Sequence, residues 1–173
     1  LQLQVASQIK KAQYVVCDTM NLWIDLSKDR LWDVVKTVDM FLLNDEEALQ
    51  LTGLSSIDAA ADELLAHGPS VVIIKQGGNG ALLSYKDEKI HVPVFPIEKL
   101  VDPTGAGDSF AGGFIGHLVN SGENDLLEAV ITGSAVASFT VSDFGVSGLV
   151  NANISEIEHR KTIIRNSIKK IEV

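Results

Sequence analysis

The chain carries one cysteine, Cys17, in 173 residues, so it can close no internal disulfide, a usage that fits a reducing compartment. Positive charge is scarce too. Against 23 Asp and Glu stand 14 Lys and Arg, a formal net charge of −9, which argues against a nucleic acid or an anionic membrane as partner. Neither a signal peptide nor an apolar run long enough to span a bilayer is found, and a cytoplasmic protein is expected. His67, His91, His117 and His159 are scattered without the spacing of metal ligands. No Gly-x-x-x-x-Gly-Lys-Ser/Thr stretch is present, which excludes a P-loop, and no Gly-x-Gly-x-x-Gly follows a strand. Asp143-Phe144-Gly145 matches the magnesium triplet of protein kinases, yet no His-Arg-Asp catalytic loop precedes it. Ser109 as a nucleophile finds no histidine in a partner motif.

What is present is a globular α/β pattern. The length suits one domain, residues 1 to 173, and the hydrophobic content of 46% supplies a core. Residues 2 to 12 read as a helix, Tyr14 to Cys17 as a strand, Lys28 to Thr37 as a helix, Met40 to Leu43 as a strand, Ile57 to His67 as a helix and Val71 to Lys75 as a strand. Continuous apolar strands alternating with helices indicate a parallel sheet covered on both faces. Ala81 to Tyr85 and Lys89 to Phe95 form a hairpin or sheet edge with Asp87 at its turn. Helices follow over 105 to 121, 125 to 141 and 154 to 170, the last an amphipathic cover helix whose His159, Arg160, Arg165, Lys169 and Lys170 read as a solvated face.

The chemistry concentrates in Val101-Asp102-Pro103-Thr104-Gly105-Ala106-Gly107-Asp108-Ser109-Phe110. Gly105 and Gly107 permit positive φ and place no Cβ in the way of an anion. The helix that opens there presents unpaired N–H groups with a partial positive charge behind them, a natural host for a phosphoryl group. Asp108 would repel that guest as a binder but suits the base that takes a hydroxyl proton in phosphoryl transfer. The same residues also read as an ordinary helix start with an acidic first turn. Against that stand Gly112, Gly113 and Gly116 inside the helical pattern, each costing roughly 1 kcal/mol relative to alanine, so some backbone or ligand must approach that face. Gly133, Ser134, Ala137 and Ser138 give the next helix a small-residue face, suited either to packing on Gly112 and Gly116 or to a flat adenine ring, with Ser134 the candidate contact.

Asp102-Pro103-Thr104-Gly105-Ala106-Gly107-Asp108 resembles the C-terminal signature of the ribokinase-like (PfkB) carbohydrate and nucleoside kinases, where Asp-x-Thr-Gly-Ala-Gly-Asp precedes a glycine-bearing helix. The resemblance implies a three-layer α/β/α fold with a mainly parallel central sheet. It further implies ATP as donor, Asp108 as catalytic base and the N–H groups of Gly105, Ala106 and Gly107 as the anion hole. Asn44 and Glu47 match the family's Asn-x-x-Glu motif. Asparagine at an N-cap with glutamate three residues on is also a capping-box pattern, and the two readings are compatible. By the resemblance Glu47 serves magnesium through water and Asn44 the phosphates.

Lys75-Gln76-Gly77-Gly78-Asn79-Gly80 joins two apolar strands, by itself an ordinary β-connection. In the likeness of the family, Gly77 and Gly80 approach the ATP phosphates or ribose, and Lys75 contacts the donor phosphates. A monovalent-cation site such as some members have for K+ is implied at Asp102 and Thr104, with Ser147 of the loop Gly145-Val146-Ser147-Gly148 adding an oxygen; Thr104 also counts among the nucleotide-binding residues. Asp18-Thr19-Met20-Asn21 resembles the family's Asp-x-Asn neighbourhood, with no role assigned. The match covers the chain as the C-terminal half of the family's fold. The paired-glycine signature, most of the residues that hold a sugar or nucleoside acceptor, and the β-rich lid, a common route to homodimers in the family, have no counterpart in it. The expectation is an ATP-dependent phosphotransferase acting on an alcohol group of a sugar or nucleoside; the alternative is a nucleotide-binding or regulatory module without kinase activity.

Overall fold

A computed structural model describes residues 2–121 and 125–168; Lys169 and Lys170 lie outside the described residues. The strands β1 (Val16–Asp18), β2 (Met40–Asn44), β3 (Val71–Lys75), β4 (Ala81–Tyr85) and β5 (Glu88–Val92) lie in the order β1-β2-β3-β4-β5. The first three are parallel, with Asp18 beside Leu42 and Asn44 beside Lys75. Residues 76–80 and the Lys86-Asp87 turn are too short for a crossover, so β4 and β5 run antiparallel and the sheet is mixed. The chain divides into two compact units, Leu1–Gln76 with Leu82–Lys89, and Gly77–Ala81 with Ile90–Val173.

In the first unit α1 (Gln2–Ala6), α2 (Asn21–Val35), α3 (Asp45–Thr52) and α4 (Ile57–Ala66) accompany the parallel strands. Alternate side chains, Phe41 and Leu43 of β2 with Val72 and Ile74 of β3, pack on Leu31 and Val35 of α2, Leu51 of α3 and Leu64 of α4. The opposite-facing Met40, Leu42, Val71 and Ile73 are buried as well, which is why these strands are apolar without alternation.

Two helical expectations change here. Helix 2 to 12 ends at Ala6, because the Ser7 hydroxyl and the Gln8 side-chain amide both donate to the Gln4 carbonyl, at 2.9 and 2.8 Å, taking the acceptor that the next turn would use. Helix Lys28 to Thr37 begins instead at Asn21 and is kinked at Ser27, whose φ of −154° is not helical. Strand Lys89 to Phe95 stops at Val92, since Pro93 has no N–H for a ladder.

The second unit holds α5 (Ala106–Ser121), α6 (Leu126–Thr140), α7 (Ser147–Asn151) and α8 (Ile154–Ser167). Helices α5 and α6 do approach closely, but not at Gly112 and Gly116, where an added Cβ would meet nothing within 4 Å. The contact is at Gly113, whose Cβ would lie 3.1 Å from Gly133 Cα, and at Gly133, whose Cβ would lie 2.8 Å from the Phe110 carbonyl. Gly133→Ala is therefore expected to cost about 1–3 kcal/mol through overpacking on backbone, whereas Gly112→Ala should gain up to about 1 kcal/mol of helix propensity; urea denaturation of both variants checks the contrast.

The face of α8 that reads as solvated is partly engaged. The Arg160 guanidinium lies 3.5 Å from the Phe139 ring centroid and 4.6 Å from that of Phe95, and donates to Ser138 Oγ at 2.8 Å. Arg165 pairs with Glu128 of α6, and Lys161, 7% exposed, sits beside Glu158 at 2.8 Å and Glu128 at 3.9 Å. Periodicity does not foretell this: the stem of a long cation covers apolar surface while its head finds a ring or a carboxylate.

Candidate functional site

In the first unit β1, β2 and β3 end at Asp18, Asn44 and Lys75, on the carboxyl edge where parallel sheets place their ligands. Asn44 is the N-cap of α3 and the capping box is complete: the Glu47 N–H donates to Asn44 Oδ1 at 2.8 Å, and the Asn44 N–H to Glu47 Oε2 at 2.9 Å. Gly53 closes the helix at φ 75°. Capping thus occupies one atom of each side chain. Among the described residues Asn44 Nδ2 donates to nothing and Glu47 Oε1 accepts from nothing.

Glu47 is 5% exposed. Burial raises its carboxyl above the usual 4.5, opposed by the Asn44 N–H and the nearby Lys75 charge, with Asp18 and Glu46 adding to the rise. An acid whose folded pKa is raised favours the fold most when protonated, and that stability is lost as pH rises through the folded value. Glu47→Gln, which retains an oxygen for the Asn44 N–H, should accordingly raise the melting temperature at pH 7, the gain shrinking as pH falls toward the ordinary carboxylate value of 4.5; thermal scans across pH read it.

No group of three or more His, Cys, Asp or Glu among the described residues is placed to hold a metal ion. One carboxylate with a spare oxygen fits magnesium that keeps most of its waters and takes its other ligands from phosphate.

In the second unit, residues 101–105 lead into α5. Thr104 N–H donates to Asp102 Oδ1 at 2.9 Å, and this bond, the Thr104 hydroxyl and the Gly145 N–H hold the Asp102 carboxyl below its usual range. Gly105 has φ 80°, the left-handed conformation that glycine adopts without penalty. Gly107 does not use that freedom; it lies in the first turn of α5. The Ala106 N–H is already engaged, donating to the Pro103 carbonyl at 3.1 Å. The Gly105, Gly107 and Asp108 N–H groups have no acceptor among the described residues. Asp108 itself is exposed, and its carboxylate makes no hydrogen bond or ion pair there. Ser109, beside it, accepts from Thr140 Oγ1 at 2.7 Å, a structural bond and not that of an activated nucleophile.

Of the other singled-out residues, Gly77 begins a 3-10 turn, Gly77–Asn79, with φ 53° and open space around its missing Cβ, whereas Gly80 has φ 98° and lies against the Val92 carbonyl. Ser134 is buried in α6 at 8% exposure. Ser147 is not in a loop: it opens the short α7 and is exposed. Of its segment, it is Gly145 that reaches Asp102. The residue without an assigned role, Asp18, pairs with Lys75 at 2.6 Å. Its neighbour Cys17 has a thiol pushed up to about 11, by burial first and by Asp18 second, and is unreactive at neutral pH.

A family model for pfkB carbohydrate kinases matches residues 2–152. A cytidine kinase of Thermococcus kodakarensis is 40% identical over 90 residues, 51% of this chain and 32% of that protein. The solved nucleoside kinase of Methanocaldococcus jannaschii, an archaeal member of the ribokinase family, is similar with a TM-score of 0.76 and 26% identity over 93% of this chain and 52% of its own. A ribokinase-type protein of E. coli, solved with ATP and magnesium, gives a TM-score of 0.71 and 27% identity over 84% of this chain and 47% of its own. The chain spans about half the length of these solved relatives.

Proposed function

The chain belongs to the pfkB family of carbohydrate kinases, with a ribokinase-type fold, and from that premise we propose that it carries the ATP-binding and proton-accepting part of a phosphotransferase acting on an alcohol group of a sugar or nucleoside. The observation that carries the reading is Asp108: an exposed carboxylate without a partner in the first turn of α5, directly after a left-handed glycine and among N–H groups that lack acceptors. In that position it is free to take the acceptor hydroxyl proton as the oxygen attacks phosphorus. The Gly105 and Gly107 N–H groups, with that of Asp108 in place of the engaged Ala106, hold the oxygens of the transferred phosphoryl group.

In the first unit Asn44 Nδ2 and the Lys75 ammonium bind donor phosphates, and Glu47 Oε1 accepts from water. Magnesium, when bound with ATP, neutralises phosphate charge. In the second, Gly77 and Gly80 line the nucleotide and Ser134 bounds its base. Asp102, kept ionised by its N–H donors, forms with Thr104 and the Gly145–Ser147 segment a site for a monovalent cation such as K+. The support for ATP and magnesium is the residue set together with the similarity to the E. coli structure that holds both.

Calorimetric titration of ATP into the full-length protein tests the donor site. Affinity should depend on magnesium and fall about tenfold in Gly105→Ala, where relief of a Cβ at positive φ, a strain of roughly 1–2 kcal/mol, draws the backbone N–H groups out of their phosphate-facing arrangement. Equal affinity without magnesium, or in the variant, would overturn the assignment.

A further inference from the structure

We propose that Asp18 is a positioning residue for phosphoryl transfer, acting through Lys75; the inference rests on the kinase reading above. Asp18 closes β1 and Lys75 closes β3, one on each side of β2, with Asn44 the register partner of Lys75. Across that carboxyl edge Lys75 Nζ donates to Asp18 Oδ2 at 2.6 Å, with the two side chains 17% and 29% exposed. The other carboxylate oxygen is held as well: Asp18 Oδ1 accepts from the Thr19 N–H at 2.9 Å. The carboxylate is thus fixed at both oxygens, and it fixes the ammonium.

A free lysine keeps four rotatable bonds and must be ordered when a phosphate arrives. One held at the strand end has already lost that freedom, and two of its three donors remain for an incoming anion. A carboxylate serving stability alone needs no such place. This one sits where β1, β2 and β3 present their ends together, two strands from the lysine it holds.

Kinetics of the full-length protein test the proposal through a double-mutant cycle, with melting temperatures alongside. Lys75→Met should lower kcat/KM for ATP about a hundredfold and Asp18→Asn about tenfold, most of it in KM. Asp18→Glu, which keeps the charge one methylene away, should fall between wild type and Asp18→Asn, and it serves the test should Asp18→Asn fold poorly. The decisive comparison is in the Lys75→Met background, where changing Asp18 should have no further effect on kcat/KM. A full additional loss there, or a lowered melting temperature with unchanged kcat/KM, would overturn the inference. Asp108→Asn, run in parallel, separates the two layers. If it abolishes turnover while Lys75→Met and Asp18→Asn do not affect it, the positioning role alone fails; if it leaves turnover intact, the kinase reading fails and the inference with it.

Discussion

Asp108→Asn should lower kcat of the full-length protein about a thousandfold, within the range that a positioned general base contributes, while leaving ATP affinity within about twofold. The substitution keeps the size of the side chain and removes only its ability to accept a proton. Nothing in the fold depends on that charge. The carboxylate is exposed and bonds to no described residue, so stability should change by no more than about 1 kcal/mol. The one structural service it performs, an acidic side chain in the first turn of α5, is worth about 0.3–1 kcal/mol at most. A loss of turnover without loss of folding or nucleotide binding is the signature of a base. Turnover within a few-fold of wild type would remove Asp108 from the chemistry.

Gly80→Ala should be the most destabilising single methyl addition in the glycine turn, at about 3–4 kcal/mol. Two costs add. The residue stands at φ 98°, where an L side chain is strained, and the new Cβ would lie 2.2 Å from the Val92 carbonyl oxygen and 3.0 Å from Pro93 Cα. Both are backbone atoms, so no side chain can swing away. Gly77→Ala is the internal control: at φ 53° with nothing within 4 Å, it carries the conformational cost alone, roughly 1–2 kcal/mol. Chemical denaturation of the pair measures the difference. It matters for function, because Gly80 is demanded by β5 whether or not a nucleotide is present, whereas Gly77 faces open space that a ligand can use.

The contrast shows what a linear sequence can reveal. The cluster from Asp102 to Asp108 stands out in the sequence because it is contiguous, and the structure places its left-handed glycine and the Asp108 carboxylate together at the start of α5. β3 and β4 fall where the apolar runs lie, Val71–Lys75 and Ala81–Tyr85, because strands apolar along their whole length leave little choice of boundary. The first half of α2 was not legible. Leu22, Trp23 and Leu26 are 45%, 43% and 70% exposed, so apolar residues there do not mark a buried face. Gly133 could not be told from Gly112 by spacing, since the close approach depends on how Phe110 of one helix meets the next. The Asp18 to Lys75 pair, 57 residues apart, exists only through the register of three strands. Asn44 and Glu47 were legible as a motif with two readings, of which the geometry shows the cap: it uses Asn44 Oδ1 and Glu47 Oε2, and Asn44 Nδ2 and Glu47 Oε1 have no partner among the described residues.

The most direct test is a phosphorus NMR spectrum of the full-length protein incubated with magnesium, ATP and, in turn, free sugars and nucleosides. Phosphotransfer to an alcohol gives a new phosphomonoester resonance growing in step with ADP, for one class of acceptor and not without it. ATP that is bound yet left unchanged with every acceptor, or that yields only inorganic phosphate, would contradict phosphotransfer and leave a nucleotide-binding module in its place.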